Sequence, residues 1–200
     1  MERHERTVAR LRQGRVDLLF IGDSITQGWE EDGRPVWDVF YQRRHALNLG
    51  YNGDQTDNVL WRIQHGELDG ITPKLAVVMI GTNNATRRED PPESTAAGIQ
   101  AILTTLRTRL PGTKILLLAI FPRGLKNDDP FRLVNEAVNE RLPAMADQRQ
   151  IFFLNLNRRF LDGEGRLSAE IMSDALHPSE HGYQVWAEGM EEMVTRLMNE

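Results

Sequence analysis

Val16-Asp17-Leu18-Leu19-Phe20-Ile21-Gly22-Asp23-Ser24-Ile25-Thr26 is an apolar run that stops at a small, polar turn. A run this short and this continuous suits a strand buried on both faces of a parallel sheet. Four more runs have the same character, at residues 46–49, 75–80, 115–120 and 151–154. Helical spacing separates most of them. Ile99, Ile102, Leu103, Leu106 and Leu110 predict one helix, ended by Pro111-Gly112. Asp129-Pro130 reads as an N-cap followed by the first helical position, with Phe131, Val134, Val138 and Leu142 as the buried face. Val59, Leu60, Trp61 and Ile63 predict a helix that closes near Gly66. The last helix starts near Ser179-Glu180 and carries Trp186, Met190, Met193, Val194 and Leu197. Strand–helix alternation without linker or repeat predicts one three-layer α/β domain over 1–200, with 1–14 as a helical extension. The loops at 85–93 and 123–130 are expected to be flexible, and core is the default place for Trp29, Trp37 and Trp61.

The 200 residues suffice for a sizeable core, and 40% hydrophobic with 26% charged residues is an ordinary globular composition. A net charge of −5 argues against nucleic acid or an anionic membrane as partner. The chain has no Cys, which removes disulfides, thiolate metal sites and Cys nucleophiles. No apolar run approaches the roughly 20 residues that span a bilayer, so stable membrane insertion is not expected. Met1-Glu2-Arg3-His4-Glu5-Arg6 is charged and no apolar signal region follows. The expectation is a cytoplasmic protein, although a chain trimmed of a secretory leader would read the same.

In an open parallel sheet, ligands gather beyond the carboxyl ends of the strands. Ser24 follows the first strand, Gly53 the second, Asn83 the third and Phe121-Pro122-Arg123 the fourth. Ser24 alone reads as a turn or cap serine, and no G-x-S-x-G elbow surrounds it. A serine hydroxyl needs a base to become a nucleophile. Among the five His, His177 is the candidate, in a loop before the last helix, with Asp174 three residues earlier to orient it. The i, i+4 pair His177 and His181 invites a metal reading, but Pro178 places His177 outside the helix and no H-E-x-x-H pattern exists, so no metal is expected. An oxyanion formed at Ser24 would meet the Ser24 and Gly53 N–H groups and the Asn83 amide.

With these blocks in view, the chain resembles the SGNH, or GDSL, hydrolase superfamily. Within it, the chain is similar to the catalytic subunits of intracellular platelet-activating-factor acetylhydrolase and their bacterial esterase relatives. The blocks that carry this are Phe20-Ile21-Gly22-Asp23-Ser24-Ile25-Thr26, Asn48-Leu49-Gly50 with Gly53-Asp54, Val59-Leu60-Trp61-Arg62 with Gly66-Glu67-Leu68, Pro73-Lys74, Gly81-Thr82-Asn83-Asn84, Leu118-Ala119-Ile120-Phe121-Pro122-Arg123-Gly124 and Asp174-Ala175-Leu176-His177-Pro178. The resemblance implies a flavodoxin-like α/β/α sandwich with a five-stranded parallel sheet in the order 2-1-3-4-5. It implies Ser24 as nucleophile, Asp174 and His177 as acid–base pair, and Gly53 and Asn83 as oxyanion residues. Relatives often carry Gly where Asn52 stands, a position where Asn tolerates the left-handed turn region.

The resulting expectation is a cofactor-free serine esterase acting on short-chain acyl esters, acetyl foremost, of a small alcohol or carbohydrate. Ile25 and Leu176 are expected to narrow the acyl slot, and Asn52, Phe121 and Arg123 to border the substrate. Other readings are a phospholipid acetylhydrolase or lysophospholipase, an acyltransferase using the same site, a catalytically dead interaction subunit and a phosphate- or flavin-binding module. The last is disfavoured because Asp23 repels phosphate and no Lys or Arg lies between Val16 and Arg34. A homodimer is expected only by analogy with the animal relatives.

Overall fold

The computed structural model describes residues 1–11 and 13–200. The chain order is α1 (Glu2–Leu11), β1 (Leu18–Gly22), α2 (Ser24–Gln27), α3 (Arg34–Phe40), β2 (Ala46–Gly50), α4 (Thr56–Gln64), β3 (Leu75–Met79), α5 (Thr82–Arg87), α6 (Pro92–Arg109), β4 (Lys114–Leu118), α7 (Pro130–Asn139), β5 (Ile151–Leu154) and α8 (Glu180–Asn199), with short 3-10 turns between some of them. The strands form one parallel sheet in the order β2-β1-β3-β4-β5. This is the flavodoxin-like α/β architecture expected from the sequence. The expected extension at 1–14 contains α1, and position 12 lies outside the described residues.

Each strand is apolar on both faces because each face meets helices. Leu19 and Ile21 of β1 point into one core, with Val59 and Ile63 of α4 and Ile99, Ile102, Leu103 and Leu106 of α6. Leu18 and Phe20 point into the other, with Val36 of α3 and Trp186, Met190 and Val194 of α8. The second core is rich in aromatic rings. Phe20 lies 4.9 Å from Tyr41, 5.0 Å from Trp37 and 6.0 Å from Trp29 between ring centroids, and Trp29 lies 4.9 Å from Trp186.

Three expectations need correction. The segment 85–93 is largely ordered rather than a free loop, since α5 reaches Arg87 and α6 starts at Pro92. The Asn84 amide explains this, donating to Thr56 Oγ1 at 3.0 Å and to Asp90 Oδ2 at 2.9 Å. On α7, Phe131 is exposed, and Arg132, Asn135 and Asn139 are buried beside Val138. Each of those side chains has a partner for its N–H groups, while Asn135 Oδ1 accepts from none of the described residues. Arg132 donates to Gly165 O, Asn135 to Thr82 Oγ1, and Asn139 bridges the N–H and C=O of Ile120. Trp61 is 40% exposed and stacks on His65 instead of entering the core.

Removing the Phe20 ring leaves a cavity among large side chains that cannot collapse into it. Phe20→Ala is expected to lower unfolding free energy by about 3–5 kcal/mol, read as a lower urea midpoint.

Candidate active site

The turn after β1 is shaped by steric exclusion. A Cβ on Gly22 would lie 2.1 Å from Thr26 Oγ1 and 2.4 Å from Met79 O, so only glycine lets α2 start this close to the sheet. Asp23 caps α2 by accepting from Ile25 N–H at 3.0 Å. Asp23 is fully buried. Burial raises its carboxyl from 3.8 to about 7, against the opposing pull of the Ile25 N–H and of His177.

Ser24, the first residue of α2, places Oγ 2.9 Å from His177 Nε2. His177 Nδ1 lies 2.7 Å from Asp174 Oδ2, while Asp174 Oδ1 accepts the backbone N–H groups of His177 at 2.7 Å and Leu176 at 3.0 Å. Nδ1 faces a carboxylate and must carry the proton, which leaves Nε2 free to accept from the serine. Burial pushes the Asp174 carboxyl up, but the His177 ring and the two N–H donors outweigh it and hold the group below its usual range. His177 stands outside α8, whose N-cap is Ser179.

Gly53 sits third in a tight turn closed by Asp54 N–H to Tyr51 O, with φ of 75°, where a side chain is strained. Gln27 Oε1 accepts the Asn52 N–H at 2.8 Å and pins this turn to the helix that carries Ser24. Asn83 lies in α5 and donates from Nδ2 to Asp54 O at 3.0 Å, which orients its amide along the turn. Among the described residues, nothing accepts from the Ser24 or Gly53 N–H. Buried or half-buried donors without partners beside a nucleophile can receive developing negative charge.

A cleft of about 340 Å³ opens over Ser24 and His177. Asn52 lines it. Gln27, Glu31, Asp32, Ser173 and Tyr183 also line it, and the sequence reading did not pick them out. Gln27 had a usable signal, lying three residues after Ser24 on one short helix; Ser173 and Tyr183 had none, because only the fold brings them here. Ile25 and Phe121, expected at the pocket, are 1% exposed and belong to the aromatic core. Leu176 packs against that same core. Arg123 is half-buried, donates to Thr82 Oγ1 at 3.0 Å and lies over the Phe131 ring. Burial lowers its pKa despite the acids Asp129, Asp23 and Asp174 around it.

A family model for the GDSL-like lipase/acylhydrolase family matches residues 20–185. The chain belongs to this GDSL-like family. It is 36% identical to human platelet-activating factor acetylhydrolase IB subunit alpha2 over 204 residues, which cover all of this chain and 85% of the relative. Its fold is similar to that of a GDSL-like lipase from Bacteroides thetaiotaomicron, with a TM-score of 0.79 at 19% identity over 96% of this chain and 97% of the other. An acetylxylan esterase from Geobacillus stearothermophilus also shares the fold, with a TM-score of 0.70 at 19% identity over 92% and 94%. The GDSL-like match covers the strand ends that carry Ser24, Gly53 and Asn83 and the loop before α8 that carries Asp174 and His177, so the chain is an acylhydrolase-family protein. Among its described residues no helix is long and apolar enough to cross a membrane.

The buried Asp23 makes a pH prediction. A carboxyl that keeps its proton to about pH 7 in the fold, against 3.8 ordinarily, makes the native state the better proton binder between those values. Its contribution to stability therefore falls as pH rises through that window and levels off above it. Asp23→Asn keeps an oxygen acceptor for Ile25 N–H and has no proton to lose. The variant is expected to gain stability relative to the parent between about pH 5 and about pH 8. Urea titrations at the two pH values check this, and a difference that ignores pH would place Asp23 in the ordinary range.

Proposed function

We propose that this chain is a metal-independent serine esterase that cleaves acetyl and other short acyl esters of a polar alcohol, with the whole chain acting as one catalytic domain. The observation that carries the proposal is the unbroken path from Ser24 Oγ through the His177 ring to the Asp174 carboxylate, at 2.9 and 2.7 Å. In the first step His177 Nε2 takes the Ser24 proton as Oγ bonds to the ester carbonyl carbon. The carbonyl oxygen becomes an oxyanion, received by the Ser24 and Gly53 N–H groups and the Asn83 amide. Asp174 holds the imidazolium. His177 then gives its proton to the leaving alcohol as the C–O bond breaks. Water, deprotonated by His177, repeats the addition on the acyl-enzyme and frees the acid and Ser24.

The walls of the cleft support a polar alcohol as the substrate's leaving group. Gln27, Glu31, Asp32, Asn52 and Ser173 present polar groups around Ser24, which suits a hydroxyl-rich alcohol such as a carbohydrate. A long acyl chain would have to leave its methylenes against polar side chains or in water, forgoing roughly 0.8 kcal/mol per CH₂. The acyl preference therefore rests on the cleft as a whole and not on Ile25, which lies in the core.

A series of p-nitrophenyl esters from acetyl to decanoyl tests the reading. Turnover is expected to peak at acetyl, and a peak at octanoyl or longer would contradict the short-acyl assignment. Ser24→Ala and His177→Ala are each expected to lower kcat by at least about 10³-fold, and Asp174→Ala by less. A Ser24→Ala protein that keeps most of its turnover sinks the serine mechanism.

A further inference from the structure

The last residue of α5 is an arginine that the mechanism above does not use. Asn83 and Arg87 are four apart on α5, so they share one helix face. That face looks onto the Tyr51–Asp54 turn, because Asn83 Nδ2 already donates to Asp54 O. The Arg87 guanidinium lies where a side chain on Gly53 would begin. A Cβ built there would meet Nη2 at 2.8 Å, Cζ at 3.0 Å and Nη1 at 3.2 Å. Three nearly equal distances mean that the flat face of the guanidinium covers the glycine. A guanidinium is weakly hydrated on its faces and keeps its N–H edges in water, so this packing costs little.

The charge on Arg87 is not spent elsewhere. Its neighbour Arg88 pairs with Asp57 at 3.0 Å and Asp90 at 2.6 Å, and Asp54 beside Gly53 is taken by Arg62. Among the described residues Arg87 has no ion pair and no hydrogen-bond partner. An unpaired cation therefore rests on the residue whose N–H is free to meet the oxyanion. A side chain at Gly53 would push the guanidinium aside, which a long exposed arginine can accommodate, so it is the positive φ that calls for glycine there.

We propose that Arg87 is a positioning residue of the oxyanion site: its guanidinium, laid flat on Gly53, holds the turn in place and adds positive charge beside the developing oxyanion. This rests on the esterase reading. The charge acts in the transition state, where the oxyanion exists, and not on the neutral ester. The effect thus falls on kcat and leaves KM alone. Because Arg87 is exposed, added salt screens it.

Steady-state kinetics on p-nitrophenyl acetate test the proposal, with urea midpoints measured on the same proteins. Arg87→Ala is expected to lower kcat about 5- to 30-fold at unchanged KM. Arg87→Lys, which returns the charge without the flat cover, should fall between the two. Salt at about 0.5 M should lower kcat of the parent and leave Arg87→Ala unmoved. Wild-type kcat in Arg87→Ala overturns the proposal. So does an equal loss in Arg87→Ala and Arg87→Lys that tracks a lower urea midpoint, which is what a merely structural role gives. Turnover that survives Ser24→Ala overturns the esterase reading itself, whatever the Arg87 variants do.

Discussion

The Ser24–His177 hydrogen bond joins groups 153 positions apart in the chain, and much of the fold can be understood as the frame that holds it at 2.9 Å. Parallel strands buried on both faces leave the backbone no polar surface along their length, so polar side chains concentrate where the strands end. Ser24 is set by the end of β1. His177 arrives from the other direction, on a loop tied down by α8 and by the Asp174 carboxylate. That carboxylate accepts three hydrogen bonds from a span of four residues, which makes the loop a local unit that the tertiary structure positions as a whole.

Close backbone approach keeps the Ser24 turn in place. A Cβ on Gly50 would fall 2.2 Å from Gln27 N, and one on Gly28 would fall 2.1 Å from the Tyr183 hydroxyl. The Asn48 side chain uses that proximity, donating to Thr26 O and Gln27 O while accepting from Gly50 N–H. Tyr183 of α8 donates to Ile25 O at 2.7 Å. The short helix α2 is too small to be stable alone, and it is held from the β2 side by Asn48 and from the α8 side by Tyr183. Both partners point at backbone groups, so their role does not depend on the side chains of α2.

Behind the Gly53 turn lies a second buried polar assembly. His4 of α1 puts Nδ1 3.0 Å from Glu67 Oε1 and Nε2 3.0 Å from His65 O. Glu67 also accepts from the Tyr51 hydroxyl, and burial raises its pKa. Arg62 pairs with both oxygens of Asp54, at 2.6 and 3.0 Å, and stacks 3.7 Å from the centre of the Tyr51 ring. Asp54 and Tyr51 bracket the turn, so α1 and α4 brace it from outside the site. In the sequence His4 reads as one more charged residue near the start of the chain. Its burial depends on where Glu67 and His65 come to lie, which no local pattern encodes.

Hydrophobic period and length determined, from the sequence by itself, the strands, most helices, the parallel sheet and the edge at which Ser24, Gly53 and Asn83 emerge. Local spacing also determined the Asp174–His177 pair, because three residues suffice to close that contact. The buried face of α7 was not legible: Asn135 and Asn139 look like solvent-facing residues until Thr82 and Ile120 supply partners. Nor was the cleft. Ile25 and Leu176 flank the key residues in sequence, yet they turn toward the aromatic core, while Gln27 and Ser173 line the cleft over Ser24. Sequence distance says which residues are near each other along the chain, but the direction in which a side chain points is set by packing against elements far away. The residue types of the candidate site were therefore legible at the strand ends and in the loop before the last helix, and its shape was decided only when the helices closed over the sheet.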